Sequence, residues 1–342
     1  MRRLAYLAVA TAVQCELQKP GTAQGRSHTR DCTHWISSLS SNSPAMRTFS
    51  QGTQDGVLQL IFQRIGVTNA RCVEFGFGYA GTKRGWEAIN DHKGLNTRLL
   101  VQQGWQPTYF DALFGDASIN VTQAVLNESN IASQFRVMGV PPLVDYVSID
   151  VDSIDVWLLL GMLRGGYRPR VISCEFNSNF MSTHFVTMPR EWVPVNSNAR
   201  VYGASAAALN LVASMFGYRA VFANVREGSD IFFIRSDILE PLCDPSSLPS
   251  TAQVFAGLPR GKHMGGKCVI KDARLLVDLP LSLAGMEEAA RAKAILDVDE
   301  LNRYYQSSKR PPYCLGMRKT APQKQRTDQS SRSDTLYTNV SC

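Results

Sequence analysis

No stretch of this chain holds the roughly 18 to 20 consecutive apolar residues that a bilayer-crossing helix needs, so no transmembrane segment is expected. No pair of its eight cysteines stands in C-x-x-C or Cys/His spacing, which argues against a structural zinc site. Positive charge is scarce where a core would be. Of the net charge of +7, residues 1–31 hold +3 and residues 305–342 hold +5, which leaves the middle at −1. A middle without bulk positive charge cannot neutralise a phosphate backbone, so no nucleic-acid partner is expected for the core. The basic tail at 305–342 reads as a solvated, disordered segment able to meet acidic surfaces.

At 342 residues with 44% hydrophobic content, the chain can bury one sizeable domain with appendages. The opening MRRLAYLAVATAVQC has two arginines, ten mostly apolar residues and an A-x-A arrangement at Ala10 and Ala12. That is the pattern of a secretory signal peptide. Its rival is a mitochondrial presequence, since residues 1–30 are rich in arginine and Glu16 is their one acid. N-x-S/T triplets at Asn120, Asn127 and Asn339 would suit a secreted glycoprotein. The expected division is a leader and linker at 1–44, a main domain at 45–240, a mixed extension at 241–304 and the tail. Cys72 and Cys174 lie in apolar strand-like runs and read as free and buried; Cys243 and Cys268 flank a loop-rich segment and are the candidate disulfide pair.

Within the main domain, DGVLQLIFQRIG places Val57, Leu60, Ile61 and Ile65 on one helical face, with Asp55 and Gly66 as caps. Strands follow at RCVEFG, PTYFDA, VTQAVL, VDYVSIDVD and RPRVISCEFN, separated by helix-length intervals, the first of them long. This alternation predicts an α/β fold with a mostly parallel sheet wound by helices. After the helix SAAALNLVASMFG, the strands YRAVFANV and DIFFIR are close enough for a C-terminal antiparallel hairpin. Such a hairpin suits a class I Rossmann-like methyltransferase fold better than a dinucleotide dehydrogenase.

The first strand runs into CVEFGFGYAG, whose Gly76, Gly78 and Gly81 form G-x-G-x-x-G with Glu74 two residues ahead. A pyrophosphate would be repelled by Glu74, and Asp111 stands 30 residues beyond Gly81 where a dinucleotide site expects an acid after about 20. S-adenosylmethionine is cationic and has no phosphate. For that ligand the carboxylate is favourable, the glycines allow close backbone approach, and Asp111 can accept from ribose hydroxyls. Beyond the next strands lie Asp150, Asp152 and Asp155, then Glu175 and Asn177. Asp150, Asp152, Glu175 and Asn177 are candidate oxygen ligands for magnesium or manganese. Asp150, Asp152 or His184 are the candidates for acid and base work. The D-x-D at Asp150 to Asp152 also admits a metal-dependent glycosyltransferase that holds a nucleotide sugar.

The ordered set FSQGTQDGVLQLIFQRIG, CVEFGFGYAG, GW before PTYFDA, DYVSIDVDSIDVW, RPRVISCEFN, YGASAAALN and DIFFIR resembles the FkbM-like group of S-adenosylmethionine-dependent methyltransferases. The likeness covers roughly Phe49 to Ile238. It implies a class I methyltransferase fold and cofactor binding around Glu74, Gly76, Gly78 and Asp111, and does not identify an acceptor; the expected reaction is methyl transfer to a hydroxyl or carboxyl oxygen of a small-molecule or glycan acceptor. The chain departs from that group at Ser153 and Ile154, where glycine and asparagine are usual, and at Asp230, where asparagine is. Those departures keep open a third reading, a methyltransferase-like binding module without activity.

Overall fold

The computed structural model describes residues 30–40, 46–79, 81–92, 94–177, 185–187, 203–224, 230–256 and 277–278. Residues 1–29 and 41–44 of the expected leader and linker, His184, Cys268, the run LAGMEEAARAKAILDV and the basic tail lie outside the described residues.

Seven strands form one sheet: β1 (Arg71–Phe75), β2 (Gln106–Asp111), β3 (Val121–Gln123), β4 (Tyr146–Ile149), β5 (Val171–Glu175), β7 (Tyr218–Ala223) and β8 (Asp230–Arg235). Their order is β3-β2-β1-β4-β5-β8-β7, while β6 (Val186–Thr187) pairs separately with β9 (Val277–Asp278). The first five strands are mutually parallel, and β8 runs antiparallel to both β5 and β7. The hairpin is therefore present with its second strand inside the sheet. The architecture is mixed α/β and compatible with a Rossmann-like fold.

Alternation along the strands sorts the core into two layers. Val73, Phe75, Val147, Ile149, Ile172 and Phe233 face α5 (Ile131–Val137), α6 (Asp155–Arg164) and α7 (Ala206–Met215). Cys72, Tyr146, Val171, Phe232 and Ile234 face α1 (Thr33–Leu39) and α2 (Gln54–Ile65). Cys72 and Cys174 are free and buried. A strand buried on both faces is what a parallel sheet with helices on each side demands. Gly66 ends α2 with φ +69, a left-handed conformation that glycine adopts without steric cost.

Three findings depart from the sequence reading. Residues 30–40, expected as linker, fold onto the domain: α1 packs on α2, and Trp35 Nε1 donates to the Leu60 carbonyl at 3.1 Å. Cys243 bonds not to Cys268 but to Cys32, 211 residues away, because α1 brings Cys32 beside the chain after α8 (Ser236–Leu239). The long helix expected between β1 and β2 is two short ones, α3 (Trp86–Asp91) and α4 (Arg98–Gln102). Between them Gly94 takes φ +109, and the amides of Asn96 and Thr97 turn inward to serve Glu74 instead of a helix. At one of the three sequons, the Asn120 side-chain amide donates to the Pro107 carbonyl and to Thr108 Oγ1.

Candidate functional site

The carboxyl ends of β1, β2 and β4 surround a cleft of about 430 Å³, within the ordinary range of small-molecule sites, about 300 to 1,000 Å³. In an open parallel sheet this is where ligands collect. Glu74, Gly76, Gly78, Asp111, Asp150 and Asp152 all line it, so the sequence candidates from three strands meet in one place.

At one end is the glycine turn. Gly76 has φ +66, and any Cβ there would collide with the Asp150 carbonyl oxygen, so the turn after β1 lies directly against the turn after β4. Gly78 has φ +61 and donates its N–H to Asp111 Oδ2 at 2.6 Å. Asp111 Oδ1 accepts from the amides of Leu113 at 2.6 Å and Phe114 at 2.8 Å, which shapes the loop that follows β2. Gly81, the third glycine of the motif, has no left-handed φ and does not line the cleft. It belongs to the exposed loop, apart from the other two glycines of the motif.

Glu74 is not the open carboxylate that its place in the sequence suggests. It is 5% exposed and accepts from Asn96 N at 2.8 Å, Thr97 N at 3.1 Å and Thr97 Oγ1 at 2.5 Å. Burial pushes its pKa up to about 7 despite these donors. Thr97 Oγ1 also lies 3.2 Å from Tyr109 Oη, and Asn96 Nδ2 donates to Ser148 Oγ, which lies 3.3 Å from Ser173 Oγ. A polar seam thus crosses β2, β1, β4 and β5 and stiffens the cleft floor.

At the other end is the acidic group. Oxygen atoms of Asp150, Asp152 and Glu175 all lie within 4.8 Å of one another. Asp152 is exposed and holds φ +56, a left-handed conformation that aspartate tolerates better than most residues. Asp155 closes the loop, accepting from Val151 N at 2.8 Å and Ser153 N at 3.1 Å at the start of α6. Burial, then the charges of Asp230, Asp152 and Asp155, raise the Asp150 carboxyl well above its usual range, and a hydrogen bond with Glu175 offsets part of this. Glu175 is raised likewise, by burial and then by the charges of Asp150, Asp152, Asp155 and Asp230. Burial also lifts Asp155 to about 7 and Asp230 to about 6. Two carboxyls held this close either share a proton or are balanced by a cation. Asn177 is buried two residues past Glu175, its N–H donating to the Ala204 carbonyl at 2.8 Å.

The cleft also contains residues that the sequence reading passed over. Gln51 arrives on the loop before α2, and His92, after α3, directs Nε2 at the Phe77 carbonyl. Ile154 stands in the wall and makes that side apolar, and Leu113 and Val125 add exposed apolar edges. Gln51 sits within FSQGTQ, a segment already conspicuous in the sequence; nothing in the spacing around His92 singles it out.

A scan against family models finds no match for this chain, and a search of curated proteins finds none either. What the cleft can do therefore follows from its geometry and charge.

Proposed function

We propose that the chain is an S-adenosylmethionine-dependent methyltransferase acting on an oxygen of a small-molecule or glycan acceptor. The observation that carries the reading is the meeting of a Gly76–Gly78 turn and Asp111 with an acidic group in one cleft, at the carboxyl ends of a sheet ordered β3-β2-β1-β4-β5-β8-β7. A parallel sheet finished by an antiparallel hairpin is the arrangement of class I methyltransferases, and the sequence resemblance points the same way.

The residues fit the cofactor. Two glycines in left-handed conformation let the backbone approach a ligand closely, the wall at Leu113 and Val125 is apolar, and Asp111 keeps acceptor capacity beyond its three amides. When bound, S-adenosylmethionine supplies a methyl group activated on a sulfonium. The chain's own part is to orient the acceptor and take its proton. Asp150 lines the cleft and shares a hydrogen bond with Glu175, so the pair can hold one proton and still accept another from an acceptor hydroxyl. The Cys32–Cys243 bond supports an oxidising compartment and so the secretory expectation over the mitochondrial one.

Calorimetric titration of the full chain with S-adenosylmethionine and its demethylated product tests the reading. Binding of both is expected, with Asp111→Asn weakening each. Binding of a nucleotide sugar instead would turn the assignment to the glycosyltransferase, and binding without methyl transfer to any hydroxylated acceptor would leave the binding module.

A further inference from the structure

Among the described residues no cation balances the acidic end of the cleft. Asp150, Asp152, Asp155, Glu175 and Asp230 converge where β4 and β5 end and β8 begins, and among the described residues none of the five forms an ion pair. Two of their oxygens are enclosed without any partner: Oε2 of Glu175 and Oδ1 of Asp230. Asp230 is 3% exposed, and its other oxygen accepts from Gln54 Nε2 at 2.6 Å. It is the direct cross-strand partner of Glu175, so the two side chains stand on the same face of the sheet. A buried carboxylate oxygen with no donor is costly, and the chain has placed two together.

We propose that Asp150, Asp152 and Glu175 bind one hard divalent cation, magnesium or manganese, with Asp230 adding charge behind them. The donor set is all oxygen, which suits these ions and excludes the softer metals that prefer thiolate or imidazole. Oxygens bound at about 2.0 to 2.2 Å on opposite sides of one ion stand a little over 4 Å apart, and the three carboxylates already lie within 4.8 Å of one another. Three carboxylates leave about half of an octahedral shell for water or for an acceptor. Asp150 and Asp152 both line the cleft, so those open positions face it. This role for the ion rests on the methyltransferase reading: with the ion bound, Asp150 would coordinate it rather than take the acceptor's proton, and the ion would hold the acceptor oxygen and lower its pKa so that the proton passes to solvent. The ion site itself does not depend on that reading.

The test is titration of the chelator-stripped full chain with manganese alone, free ion being followed by its electron paramagnetic resonance signal and heat by calorimetry. One ion per chain with micromolar affinity is expected. Asp152→Asn should weaken it by about tenfold or more. That position is exposed, and asparagine accepts its left-handed backbone, so circular dichroism should be unchanged. Glu175→Gln is the second variant, with the same direction expected. Absence of manganese binding, or wild-type affinity in both variants, overturns the proposal. A parallel titration with S-adenosylmethionine keeps the two readings apart: cofactor binding without manganese binding removes only the ion site, and the converse removes only the methyltransferase.

Discussion

Asp145 enters β4 and Asp150 leaves it, four residues of strand apart, and the two carboxyls meet opposite surroundings. Asp145 is fully buried and paired with Arg170 at 2.9 Å. It also accepts from the amides of Thr68, Asn69 and Ala70 and from Thr68 Oγ1. Asp150, at the cleft, faces other acids and, among the described residues, forms no ion pair. The difference separates a carboxylate that organises the fold from one held ready for something outside it. The fold satisfies acids well at the closed end of the sheet, so their crowding at the open end is a feature of the site.

The largest expected effect tests that separation directly. Asp145→Ala removes one partner of a buried ion pair and the acceptor of three amides, which costs about 4 kcal/mol and should lower Tm by about 10 °C. Asp150→Asn in metal-free protein relieves repulsion and should leave Tm unchanged or higher. Thermal melts of both variants suffice, and equal losses would break the comparison.

Next comes pH. The Asp145 carboxyl is lowered, since its bonds to Thr68, Arg170, Asn69 and Ala70 outweigh the burial that opposes them. Its stabilisation is present above the ordinary aspartate range and is lost as pH falls through the lowered value. Glu74, Asp155 and Asp230 have the reverse sign. Raised to about 7, 7 and 6, they keep protons in the fold that the unfolded chain has released, so stability falls as pH rises from about 4.5 to 7. Glu74 alone accounts for about 3 kcal/mol of that fall. Denaturant melts from pH 4.5 to 8 should show the decline in wild type and a flatter one in Glu74→Gln. A wild-type profile that rises across this window would show that these acids are ionised without penalty.

A smaller effect has an unusual sign. Asp230→Asn keeps an acceptor for Gln54 Nε2 and removes a charge that Asp150 and Glu175 both feel. At pH 8 without metal it should stabilise by about 2 kcal/mol, raising Tm by a few degrees. Saturating manganese should shrink or reverse the gain, because the charge then has a counter-ion. A destabilised Asp230→Asn in metal-free protein would mean that this carboxylate organises the fold as Asp145 does.

How much of this was legible in the sequence follows from which interactions are local. The strands were, because each is a short apolar run with a helix-length interval behind it, and Gly76, Asp111 and Asp150 were found because they end those runs. The break between α3 and α4 was not, since it exists to deliver the Asn96 and Thr97 amides to Glu74, a contact 22 and 23 residues long. The same contact is why Glu74 read as a ligand-facing carboxylate and is a buried one. The Cys32–Cys243 bond spans 211 residues, and α1, seven residues long, carries too little periodicity to announce the helix that brings them together. Asp230 stood out only as a departure from a family pattern, and its role depends on the cross-strand register with Glu175.

The smallest effect asks how the satisfied carboxyl of the cleft itself behaves. Asp111 is the counterpart of Asp145 at the open end: its three amide donors include Gly78, whose φ of +61 lets the turn present that N–H. A methyl group at Gly78 would meet nothing closer than the Gly76 carbonyl oxygen at 3.3 Å, so Gly78→Ala carries mainly the cost of a left-handed alanine, about 1 to 2 kcal/mol. A Tm lower by a few degrees with circular dichroism unchanged is expected. Gly76→Ala adds a collision with the Asp150 backbone to the same conformational cost and should be clearly worse. If the two alanines cost the same, the turns after β1 and β4 are not pressed together, and the glycine end and the acidic end of the cleft are free to move apart.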